Sequence, residues 1–99
     1  MITGDKEYVL YMNRTRQREW TLGKATMNFI GYFISLGDTQ EVAEAKVTEL
    51  STEVAALLYV YTLGNTQPLI DGVNASTLPF MDAAAKAFLV GQLTQVGSE

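Results

Sequence analysis

Arg14, Arg16 and Arg18 occupy every second position of the stretch "NRTRQREW", which closes on Trp20, the sole tryptophan of the chain. Guanidinium groups make planar, two-pronged contacts to phosphate or carboxylate, and an indole offers a flat face for stacking. On a strand, the period of two would put Tyr8, Leu10, Met12, Arg14, Arg16, Arg18 and Trp20 on one face. Such a face suits single-stranded nucleic acid. The same residues also suit a protein interface, where arginine and tryptophan are the types most enriched among dominant contacts. A third use is a solvated turn with Trp20 folded into the core. Glu19 interrupts the basic row, and a net charge of −4 repels phosphate everywhere except at this end. A protein partner is therefore the reading adopted, with a nucleic-acid-binding module as the alternative.

The chain itself carries a matching surface. Residues 1–37 hold five basic groups against three acidic ones, and residues 38–99 hold two against eight, so the two parts carry +2 and −6. That polarity favours contact between copies, basic end to acidic end. Glu41 and Glu44, with the uncharged Tyr59 and Tyr61, are the candidates on the acidic side. Ala84, Ala87 and Gly91 form a ridge of small residues in steps of three and four, a second candidate contact through which two backbones could approach.

Much chemistry is excluded by residue type. The chain has no histidine and no cysteine, which removes imidazole acid–base catalysis, thiol nucleophiles and nearly all zinc sites. Glu49 and Glu53 stand one helical turn apart and read as a solvated face, not as a glycosidase pair across a cleft. "DGVN" at 71–74 lacks the later ligands of a calcium loop. Gly23-Lys24-Ala25 is only a fragment of a phosphate-binding loop. The expectation is a non-catalytic protein needing no cofactor and no metal.

Composition sets the scale for the elements that must position these residues. Ninety-nine residues make a single domain, 1–99, and 47% hydrophobic with 18% charged residues argues against disorder. Without cysteine, packing must supply the stability. The charged start "MITGDKEYVL" does not read as a secretion signal. The longest strongly apolar uncharged run, Ala25 to Gly37, has 13 residues, short of the ~20 that span a bilayer. Asn13 and Asn74 match the glycosylation sequon by chance, given no secretion signal. The expected location is cytoplasmic, or within a particle assembled inside a cell, such as a virion.

The expected fold is α+β: an N-terminal β-meander of about three strands over 7–36, then two packed helices at 39–63 and 78–96. An all-α helical bundle is the alternative. In the first helix Ala43, Val47, Leu50, Val54, Leu57 and Tyr61 recur in steps of four and three. Asp38 with Glu41 makes a capping box, and Gly64-Asn65 a left-handed stop. Its second half, "VAALLYVYTL", has no charge on any face and must be covered all round. In the second helix Thr77 is the cap, Asp82 and Lys86 pair across one turn, and Gly97 is the stop. Met81, Ala85, Phe88, Leu89, Leu93 and Val96 form its apolar side.

The meander rests on "EYVLYM", "REWTL" and the aromatic or β-branched Phe29, Ile30, Tyr32, Phe33 and Ile34, with turns at 13–17 and Gly23-Lys24. One pattern opposes it. "ISLGDTQ" (34–40) echoes "YTLGNTQ" (61–67) at an offset of 27. The second copy ends a helix, so the first could too. The predicted role is a structural subunit that self-associates or docks in a larger assembly, with a small phage or virion component as the example.

Overall fold

A computed structural model describes the backbone of residues 3–95 and the side chains of residues 13–95. It contains five helices: α1 (Thr3–Ser35), α2 (Gln40–Glu53), α3 (Ala55–Thr62), α4 (Thr66–Ala75) and α5 (Ala83–Leu93). The β-meander is overturned, because residues 7–35 lie within α1, Leu36 is in the turn that follows, and no strand occurs among the described residues. The all-α alternative is the architecture found.

Burial explains the reversal. Thr21, Ala25, Phe29 and Phe33 are all buried and recur every four residues, so a helix puts them on one face. A strand would have divided Phe29 and Phe33 from Ile30 and Ile34. Aromatic and β-branched residues prefer strands only weakly, and tertiary packing overrides that preference. Gly23-Lys24, read as a hairpin turn, sits in the middle of α1.

At 33 residues, α1 is about 50 Å long at 1.5 Å per residue, which accounts for the 54 Å long axis of the molecule. It stops at Gly37, whose φ of 111° suits glycine. The N–H of Gly37 donates to Ile34 O and that of Asp38 to Phe33 O, the two bonds of a Schellman motif. The chain then reverses into α2. Thr39 is the N-cap, its hydroxyl accepting from Val42 N at 3.2 Å, so the cap falls one residue after Asp38 and, with Val42 at the third helical position, the expected capping box of Asp38 and Glu41 does not form. The Asp38 carboxylate instead pairs with Lys46 at 2.6 Å.

The expected helix 39–63 is present but divided at Val54, whose ψ of 20° separates α2 from α3. Thr52 Oγ1 donates to Thr48 O just before the break, and such back-bonding bends helices. A second Schellman motif ends α3: Gly64 has φ 112°, with Gly64 N–H donating to Tyr61 O and Asn65 N–H to Val60 O. The echo between 34–40 and 61–67 thus marks two copies of one device, a helix stop and restart.

α4 was not anticipated. It contains Pro68, buries Leu69 and Val73 one turn apart, and absorbs the "DGVN" stretch. Any Cβ on Gly72 would collide with Leu57 Cδ1, so this glycine sets how closely α4 approaches α3. The helix expected at 78–96 begins later, at Ala83, because Asp82 in extended conformation caps it through Ala85 N at 2.9 Å. Phe80 and Met81, in the segment before it, pack on and into the core. Lys86, expected to pair with Asp82, donates to Asn74 O at 2.8 Å. The described part of α5 ends at Leu93; the expected residues Val96 and Gly97 lie outside the described residues.

α5 runs antiparallel to α1, as Asn28 bonding Gln92 and Tyr32 stacking on Phe88 show. α4 lies across from α1 and closes the bundle against α3 and α5. Phe29, Tyr32, Phe33, Phe80 and Phe88 make an aromatic cluster at the α1–α2 end. Lys46 sits 4.9 Å from the centre of the Phe33 ring. Among the described residues no helix is long and apolar enough to cross a membrane.

Candidate functional site

Residues two apart on a helix point about 200° from each other, so α1 divides the arginine row. Arg14 and Arg18 face the α3–α4 turn. Arg16 and Trp20 face the opposite way, into solvent. The single face that would have held three guanidiniums beside an indole does not form.

Arg18 is engaged within the chain. Its Nη1 donates to Tyr61 O at 3.2 Å and to Thr66 Oγ1 at 2.8 Å, bridging the last turn of α3 to the first turn of α4. A cation at a helix C-terminus is favourable, and its guanidinium also lies 4.9 Å from the centre of the Tyr61 ring. Tyr61 itself is 0% exposed, and its hydroxyl donates to Leu93 O at 2.8 Å. Burial pushes the phenol above its ordinary pKa, while the Arg18 charge and the Thr21 hydroxyl pull it back. Arg18 and Tyr61 are thus core cement and offer a partner little surface.

The other sequence candidates lie on the outside, on separate faces. Glu41 and Glu44 are exposed on α2, with Gln40 Nε2 donating to Glu44 Oε2 at 2.7 Å. Tyr59 is exposed on α3 beside Ala55 and Ala56, whereas Val54 and Tyr61 are buried. The uncharged segment 54–63 is therefore covered on the sides facing α1 and α4 and open on a third. Ala84 and Ala87 are exposed on α5, and a Cβ on Gly91 would meet nothing within 4 Å. The small ridge is not used for packing α5 against α1.

The sequence reading singled out Trp20 but missed the residues that join it on α1. Trp20, Met27 and Ile34, spaced seven apart, are 47%, 74% and 39% exposed. Between them stand Gly23 and Gly31, each with open space where a Cβ would be. At 100° per residue these five positions fall within about 80° of arc, opposite the buried stripe of Thr21, Ala25, Phe29 and Phe33. Lys24 Nζ lies 4.8 Å from the centre of the Trp20 ring at one edge of this seam. Trp20, Gly23, Lys24 and Met27 line a recess, the four-residue arrangement that receives a side chain from a facing helix in knobs-into-holes packing. The seven-residue spacing was visible in the sequence, but it has no meaning until 20–34 is helical.

Two further concave features lie elsewhere among the described residues. A small recess among the helices, bordered by Leu22, Phe29, Leu50, Leu69 and Leu89, holds about 40 Å³, room for one small group at most. A shallow groove between α1 and α2 is floored by Thr26, Ile30, Ser51 and Ala55. No protein-family model matches the chain, and no curated protein or solved structure matches it.

Proposed function

We propose that this chain is a non-catalytic structural subunit that works by self-association, of the kind that builds small particle components such as those of a phage or virion. One observation carries the reading: large apolar side chains at Trp20, Met27 and Ile34 recur on a solvent-facing helix stripe. Single exposed apolar residues are ordinary on any protein, but a contiguous apolar stripe at helix spacing marks a contact surface. The opposite charge of the two parts of the chain supports a copy of the same protein as the partner.

Sedimentation equilibrium of the untagged chain, from low micromolar to several hundred micromolar, tests this. A mass that rises with concentration toward a multiple of 10.9 kDa is the expected result. A monomer across the whole range, in low salt and without other proteins, overturns it.

A further inference from the structure

The seam on α1 has an internal symmetry. Its members Trp20, Gly23, Met27, Gly31 and Ile34 are separated by three, four, four and three residues, a spacing that reads the same in both directions about Met27. Large and small residues follow the same symmetry: large at the ends and centre, glycine between. A two-fold axis through Met27, perpendicular to α1, therefore sets Trp20 against Ile34 of a second copy and Gly23 against its Gly31. Met27 then meets its own equivalent. Large groups meet large groups, and the backbones approach most closely where both lack a Cβ.

Resting on the self-association reading, we propose that two copies pair through α1 in antiparallel orientation about a two-fold axis at Met27. Charge selects this orientation over the parallel one. The antiparallel arrangement brings Arg16 of each copy beside the α1–α2 turn of the other, where Glu41 is exposed at the start of α2. A parallel pair would set Arg16 against Arg16 and Glu41 against Glu41. The contact is isologous, so it closes at two copies and leaves the exposed Glu49 and Glu53 of α2 free for further contacts. The seam spans 15 residues, about 21 Å of helix. That is smaller than the interfaces of permanent dimers, so the pair forms reversibly.

The chain has no cysteine, so introduced thiols report geometry cleanly. Four samples are equilibrated in a glutathione redox buffer: Met27→Cys alone, Trp20→Cys alone, Ile34→Cys alone, and the last two mixed. Met27→Cys is expected to form a covalent dimer. Trp20→Cys and Ile34→Cys are each expected to stay monomeric alone and to cross-link when mixed, because a disulfide needs Cβ atoms about 4 Å apart and like positions lie about 21 Å apart in the antiparallel pair. Cross-linking of Trp20→Cys with itself at the level of Met27→Cys overturns the antiparallel geometry.

Met27→Glu provides a second measurement at an exposed position that the fold does not need. It is expected to weaken association about tenfold or more in sedimentation, with an unchanged circular dichroism spectrum. Native association that survives in Met27→Glu, with no cross-link at Met27→Cys, sinks this pairing while leaving the self-association reading intact. A native chain that never associates removes both.

Discussion

The turns at 36–39 and 63–66 share a backbone and differ in sequence only at Asp38 and Asn65, yet are held by different means. Both use a leucine followed by a glycine with φ near 110°, and both close with the same pair of backbone hydrogen bonds. The first then completes itself locally: Thr39 caps α2, and Asp38 reaches Lys46 eight residues on. In the second, Asn65 makes no side-chain cap bond. The link is made from a distance by Arg18, 43 residues before Tyr61 and 48 before Thr66. The same seven-residue device is self-sufficient in one place and tertiary in the other. The difference begins at its first residue, which is the solvent-facing Ile34 in one copy and the fully buried Tyr61 in the other.

Removing the distant support should break the second turn most. Arg18→Ala takes away two hydrogen bonds from a half-buried cation and leaves Tyr61 uncovered, a loss of about 2–3 kcal/mol. Arg16→Ala, two residues earlier and in solvent, should change stability by less than about 0.5 kcal/mol. Urea unfolding of both variants checks this. Equal effects would mean that the helix does not set Arg16 and Arg18 on opposite faces.

The shared backbone is tested next. Gly37→Ala and Gly64→Ala each force a Cβ into a conformation that costs an L-residue about 1–2 kcal/mol. Neither site adds a steric clash: the nearest atom to a Cβ at Gly64 is Arg14 Cδ at 3.8 Å, and Gly37 has nothing within 4 Å. The two losses should therefore agree closely. A large difference would show that one turn relaxes by another route.

These turns also show why the sequence was only partly legible. Glycine after leucine announced the helix end at Gly64, and its echo at Gly37 spoke against the strands expected there, because a Schellman motif is local. The aromatic content of 29–34 pointed to strands because propensity ignores what a side chain packs against. Phe29 and Phe33 are helical here because Phe80 and Phe88, about fifty residues on, complete their cluster. The break at Val54 and the helix over 66–75 were hidden for a similar reason, since neither has a capping side chain of its own. On the surface, Arg16 and Trp20 could be read from type alone. Met27, Ile34 and the two glycines could not, because their meaning depends on period. Arg18 looked like its neighbours and differs only through partners far along the chain.

The restarts of the next helices should separate by a smaller margin. Thr39→Ala removes a side-chain cap and should cost about 1 kcal/mol. Asn65→Ala removes no cap bond and should cost a few tenths of a kcal/mol at most. Chemical denaturation resolves the two. A loss at Asn65 equal to that at Thr39 would mean that the second turn has a local cap in addition to its distant arginine.

The subtlest consequence concerns pH and the buried first residue of the second turn. Tyr61→Phe deletes the bond to Leu93 O and should cost about 1 kcal/mol at neutral pH. In the native protein burial raises the Tyr61 pKa above 10.0, so the unfolded chain loses this proton first as pH climbs. Between the ordinary and the raised value the folded state holds one more proton than the unfolded state, and stability falls with rising pH. The phenylalanine variant lacks that slope. The stability gap between the two proteins should therefore hold at neutral pH and narrow above pH 10.0. Urea midpoints measured in parallel isolate this difference from the other tyrosines and lysines, which titrate equally in both. A gap that stays constant through that range would mean that the Tyr61 hydroxyl reaches water, and with it the second turn would lose the buried anchor that distinguishes it from the first.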